Sequence, residues 1–168
     1  TSNSTSGDID VQETNGLIIG GAGVVTSGGD GNINVDVDAG DLTVNSVVTA
    51  NGSGGVTLNA DAGTVDTNAT ISSTTGNIDI TGDVVTQDSD ITTGGGGTVD
   101  VTSDNGAITM STGNTTTSAT GDVTYTASTD ITVEDITTTS GAIDILADND
   151  VTFLATSSVS STSGDVTV

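Results

Sequence analysis

Gly7-Asp8-Ile9-Asp10-Val11 is the phrase that decides the fold, because variants of it return along the chain and close it as Gly164-Asp165-Val166-Thr167-Val168. It recurs as GNINV from Gly31, GGVTL from Gly54, GNIDI from Gly76, GTVDV from Gly97, GDVTY from Gly121 and GAIDI from Gly141. Successive openings lie 20 to 24 residues apart. Self-similarity at such a period marks a stacked repeat, in which each unit buries its apolar face only against its neighbours.

The alternation inside the phrase says what each unit contains. Two residues after each opening glycine stand Ile9, Ile33, Val56, Ile78, Val99, Val123, Ile143 and Val166, all β-branched and aliphatic. Four residues after it the column is Val11, Val35, Leu58, Ile80, Val101, Tyr125, Ile145 and Val168. Between them stand Asp10, Asn34, Thr57, Asp79, Asp100, Thr124, Asp144 and Thr167. Apolar, polar, apolar is the period of a half-buried strand, not of a helix.

A second strand is expected at 42–44, 65–67, 108–110, 131–133 and 151–153, and a third at 47–49, 69–71, 91–93, 136–138 and around Val159. Three short strands and three turns in about 22 residues fit one coil of a parallel β-helix, with coils stacked at about 4.8 Å. A propeller blade needs about twice that length. The expected fold is therefore all-β: a single β-solenoid array over residues 1–168, of about seven coils and three strands each. With aromatic residues at 1% of the chain, the core must be thin and aliphatic, and Tyr125 and Phe153 are expected to fill local gaps or corners.

The ends carry the same phrase. Residues 2–11, SNSTSGDIDV, resemble residues 159–168, VSSTSGDVTV, and no capping element is apparent in either. Uncapped solenoid ends expose strand edges that invite another chain. The expectation is a window from a longer array, or a subunit that stacks end to end with copies of itself.

Charge narrows the partners. The chain has 23 acidic residues and no Lys, Arg or His, a formal charge of −23. Such a field repels nucleic acid and is unsuited to anionic membranes, and no stretch approaches the roughly 18 apolar residues of a membrane helix. Divalent cations and copies of the chain are the partners left. Without His, Lys, Arg or Cys, catalysis would rest on carboxylates and hydroxyls alone, so no enzymatic activity is expected.

In these GDI-type phrases the chain resembles the β-helical repeat regions of large bacterial surface and secreted proteins, the filamentous-haemagglutinin-like and autotransporter-type adhesins. The resemblance extends over essentially the whole length. It implies an elongated structural or adhesive part located extracellularly or on the cell surface. The absence of basic residues departs from that pattern.

One set of positions bears on a cation. Seven residues after the opening glycines lie Asp38, Asp61, Asp83, Asp104 and Asp148, with Thr14 and Ser128 in the remaining coils. In-register stacking would bring neighbouring carboxylates to about 5 Å, at about 1 kcal/mol of repulsion per pair even in water. A bound calcium ion, which takes six to eight hard oxygens, would remove it. The bland reading is that each is a solvated turn residue bonded to its own backbone. Asp79 and Asp100 form a second candidate pair on the outward face. No cofactor beyond calcium is implied, and sequons at Asn3, Asn51, Asn68 and Asn114 are expected in accessible turns.

The sequence thus points to a structural solenoid module of an extracellular filament or cell-surface fibre, assembled by end-to-end strand stacking. The alternative is the stalk or binding module of an adhesin, and calcium-dependent assembly or stiffening is a further one.

Overall fold

The computed structural model describes residues 2–168. It is an all-β solenoid of about seven coils at about 23 residues each, with parallel pairing in every ladder and no helix among the described residues. Three strands per coil form three ladders.

The first ladder holds the recurring phrase. It runs through β2 (Ile9–Glu13), β5 (Ile33–Val37), the near half of β8 (Val56–Thr67), the near half of β10 (Ile78–Gln87), β12 (Val99–Ser103), β15 (Val123–Ala127), β18 (Ile143–Ala147) and β21 (Val166–Thr167). Its register is the one the glycines imply, with Ile33 beside Val56, Ile78 beside Val99 and Val123 beside Ile143. The inward columns are buried through the middle of the stack, while Val11, Val166 and Val168 in the outermost coils are partly open.

The second ladder comprises β3 (Leu17–Ile19), β6 (Leu42–Val44), the far halves of β8 and β10, β13 (Ile108–Met110), β16 (Ile131–Val133) and β19 (Val151–Phe153). The expected second strands are all present. Two more, at β3 and at the end of β10, were not expected; in β10 the inward residue after Val85 is the polar Gln87. In β8 and β10 the turn between the first and second strands stays extended, and one strand crosses the corner.

The third ladder departs most from expectation. It consists of β1 (Ser2–Ser4), β4 (Val24–Thr26), β7 (Val48–Ala50), β9 (Ile71–Ser73), β11 (Ile91–Thr93), β14 (Thr115–Ser118), β17 (Asp135–Thr138) and β20 (Val159–Ser161). The strand expected at 47–49 lies one residue later and that at 69–71 two later, while β1, β4 and β14 were missed. The physical reason is that this ladder buries hydroxyls: Thr26, Ser73, Thr93, Thr116, Ser118 and Thr138 all point inward and are buried. A hydrophobic period cannot reveal such a strand.

These hydroxyls close the corner between the third and first strands. Ser73 Oγ donates to the Gly54 carbonyl at 2.7 Å and accepts the Gly76 N–H at 2.8 Å. Thr93, Ser118, Thr138 and Ser161 donate likewise to Gly76, Gly97, Gly121 and Gly141. Each carbonyl lies where the next glycine's side chain would begin. A Cβ on Gly121 would stand 2.1 Å from the Gly97 oxygen, and one on Gly141 would stand 2.0 Å from the Gly121 oxygen. None of these column glycines has a positive φ, so close approach of backbones, and not conformational freedom, requires glycine here.

Tyr125 is fully buried, filling a core gap and not a corner. Its hydroxyl donates to Gln87 Oε1 at 2.6 Å and pairs with Thr116 Oγ1 at 2.5 Å, while Gln87 Nε2 donates to Thr116 Oγ1 at 2.9 Å. Burial pushes the phenol's pKa up, with the two hydrogen bonds opposing. Phe153, by contrast, is half exposed in the last coil.

Candidate functional site

Asp38, Asp61, Asp83 and Asp104 all follow the first strand, and the pairing of Val37 with Ala60 and of Gly82 with both Ala60 and Ser103 carries them onto four consecutive coils. Asp148 lies two coils beyond Asp104, past Ser128, at the turn continued from the pairing of Ala127 with Ala147. Asp38 and Asp61 thus continue one register, but between Gly82 and Val84 the register shifts, so Asp83 stands opposite residues 61–63 and the row is interrupted there. Side-chain amides already serve part of it: Gln12 Nε2 donates to Asp38 at 3.2 Å, Asn59 Nδ2 to Asp61 at 2.5 Å, and Asn105 Nδ2 to Asp83. Among the described residues, no three His, Cys, Asp or Glu side chains converge into a group able to cage a metal ion.

Asp79 and Asp100 are direct partners in the ladder between β10 and β12. Partial burial, and then the Asp100 carboxylate, hold the Asp79 carboxyl above its ordinary value. Asp100 also accepts the Thr98 hydroxyl at 3.0 Å, a bond that Asp79 lacks.

The acidic residues with the most specific geometry are others. Asp8, Asp30, Asp41, Asp90, Asp122 and Asp135 each accept a backbone N–H from the coil above: from Asn32, Ser53, Thr64, Thr115, Ala142 and Ser158, at 2.7 to 2.9 Å. At the corners these N–H groups have no strand partner, and a carboxylate supplies a strong acceptor. The bonds from the Ser53 backbone and hydroxyl hold Asp30 below the usual carboxylate range. The signal was present in the sequence: four of the six directly precede the first residue of a strand, as in Asp41-Leu42, Asp90-Ile91 and Asp122-Val123. Much of the acidity thus ties one coil to the next without any basic residue.

Two of the sequon asparagines, Asn51 and Asn114, are half-buried, while Asn68 is exposed. The amide nitrogen of Asn51 donates to the Thr26 carbonyl, that of Asn114 to the Gln87 and Ser111 carbonyls, and that of Asn68 to Asp66 and Asn45. Asn3 is exposed on β1.

No family model matches the chain, and neither curated proteins nor solved structures contain a significant match to it. The structure shows the coarser part of the expectation, a parallel β-solenoid repeat, while no match ties the chain to filamentous-haemagglutinin-like or autotransporter repeats.

Proposed function

We propose that this chain is a structural, non-catalytic module of an extracellular filament or cell-surface fibre, in which coils of one copy stack on coils of the next. The observation that carries the reading is repetition along one axis. Three parallel ladders, a glycine column and cross-coil carboxylate bonds repeat from coil to coil, so the molecule is specified along its axis and not around a cleft. The recurring phrase keeps one phase along the chain, so any coil presents ladder edges that fit any other coil, which supports stacking. Lack of Lys and Arg also removes every site for trypsin-like cleavage.

Electron microscopy of the full chain at neutral pH tests this. Continuous fibres with a layer spacing near 4.8 Å are expected. Isolated short rods at every concentration would overturn it.

The placement of Asp38, Asp61, Asp83 and Asp104 on four consecutive coils favours a subsidiary proposal, that calcium bridges neighbouring coils in pairs and stiffens the fibre. It requires the melting temperature to rise with calcium and fall with EDTA. An unchanged melt with either would leave these residues as solvated turn carboxylates.

A further inference from the structure

On the outer face of the first ladder, across the second to fourth coils, lies a polar groove of about 420 Å³ bordered by Asn32, Asn34, Ser53, Thr57, Asn77 and Asp79. One absent side chain creates it. The residue after each column glycine is Asp8, Asn32, Asn77, Thr98, Asp122, Ala142 and Asp165 in the other coils, but Gly55 in the third, which interrupts the row between Asn32 and Asn77. A Cβ at Gly55 would lie 3.0 Å from the Asn77 carbonyl oxygen, so packing of the next coil keeps the gap open.

The two amides that flank the gap are fixed in orientation. Asn32 Oδ1 accepts the Gly55 N–H at 2.9 Å, and Asn77 Oδ1 accepts the Thr98 N–H at 3.0 Å. With their oxygens engaged, both exposed side chains offer their Nδ2 groups as oriented donors. Two residues further along, Asn34, Thr57 and Asp79 form a parallel row, paired directly in the ladder. That row supplies a hydroxyl and a carboxylate acceptor.

We propose that this groove binds a neutral glycan, with the Asn32 and Asn77 amide groups donating to sugar oxygens and Asp79 accepting from sugar hydroxyls. The chemistry excludes other classes in turn. An anion would meet Asp79 within a field of −23 charges, a cation would meet two fixed N–H donors, and an aromatic or aliphatic ligand would meet a wall of amides and hydroxyls. Only a partner that both donates and accepts at closely spaced positions satisfies the whole set, and vicinal hydroxyls do. The volume lies near the lower end of ligand pockets, enough for one or two sugar rings. Without an aromatic platform each site is weak, and repetition of the chain would supply avidity. The inference does not depend on end-to-end stacking.

The test is amide NMR of the ¹⁵N-labelled full chain titrated with maltotriose, cellotriose and mannotriose, alongside trigalacturonate and calcium chloride. The expected result is saturable movement of the Asn32 and Asn77 side-chain amide signals with at least one neutral trisaccharide. Asn32→Asp and Asn77→Asp keep the acceptor for the neighbouring backbone N–H, as Asp8 and Asp122 do natively at the same position. Each should leave the melting temperature in place and weaken binding about fivefold, the worth of one hydrogen bond. The proposal fails if no neutral trisaccharide produces saturable shifts up to about 20 mM. It also fails if only calcium or trigalacturonate does so, or if both variants bind the sugar as the parent does.

Discussion

Two corners of the coil treat chain length in opposite ways. From the column glycine into the first strand the spacing is invariant: Ile33, Val56, Ile78, Val99, Val123 and Ile143 each stand two residues on. Between the second and third strands, Glu134 alone joins β16 to β17, while residues 111–114 span the same corner one coil below and 154–158 one coil above. Both longer loops close on themselves, Asn114 N–H to the Ser111 carbonyl at 3.3 Å and Ser157 N–H to the Leu154 carbonyl at 3.0 Å. Glu134 is buried between them, accepting the Thr156 hydroxyl at 2.9 Å. At the glycine corner backbones touch and nothing can be added. At the other corner extra residues swing into water, where loop closure grows costly only slowly with length. The regularity of the rod is enforced at one place per coil.

Among single substitutions, the most severe break in this contrast comes from adjacent glycines. Gly97→Ala drives a Cβ to 2.3 Å from the Gly76 carbonyl oxygen, whereas a Cβ on Gly96 meets nothing within 4 Å. Urea unfolding should show Gly97→Ala losing about 3 kcal/mol or more, and Gly96→Ala losing under about 1 kcal/mol. Equal losses would remove backbone contact as the reason for the column.

The variable corner is anchored from inside, and a smaller effect tests that anchor. Gln87 precedes the corner in one coil, Thr116 follows it in the next, and Tyr125 joins them from the first ladder. Tyr125→Phe leaves Gln87 Oε1 without its tyrosine donor in a dry core, and should cost about 2 kcal/mol. A loss near zero would show that water or a rotated Gln87 replaces the hydroxyl.

Length tolerance itself is next. One alanine inserted between Thr112 and Gly113 should cost less than about 1 kcal/mol. The same insertion between Thr120 and Gly121 moves the glycine out of its column and should abolish the cooperative thermal transition. Similar behaviour at both sites would erase the distinction between the corners.

The smallest expected effect concerns charge on the face that the glycine corner leads into. The folded-state pKa of Asp79 lies above its unfolded value, so its ionised form costs stability above the folded pKa. That cost is relieved as pH falls through the folded pKa toward the unfolded value near 3.8. Asp79→Asn should therefore stabilise the fold at pH 7, by less than about 1 kcal/mol because the group is partly exposed. The gain should vanish below about pH 3.5. Thermal melts at pH 7 and pH 3 read the difference, and a gain at both would point to packing instead of charge.

How legible each part was in the sequence follows from what holds it. The first strands were readable residue by residue, because Ile78 and Ile80 are inward and Asp79 outward by simple alternation. The second strands were mostly readable for the same reason, except where Gln87 takes an inward place. The third ladder was only half visible: Thr116 and Ser118 in β14 look like surface residues until the carbonyl of Gly97 and the hydroxyl of Tyr125 are placed beside them. The spacing of Asp38, Asp61, Asp83 and Asp104 was legible, but the register shift between Gly82 and Val84 that interrupts the row was not, because the spacing of the glycines does not record it. That Asp8, Asp41 and Asp122 accept backbone N–H groups was not, although their place just before strands marked them.

The sequence by itself determined the period, the inward aliphatic columns and the recurrence of glycine at the start of each unit. All three follow from local alternation and from repetition, which a linear reading contains. The tertiary structure alone decided which polar side chains are buried, which corner absorbs length, and that Gly55 opens a groove between Asn32 and Asn77. Each of those depends on the neighbour one full coil away, 20 to 24 residues along the chain, and the geometry of that neighbour exists only once the coils have stacked.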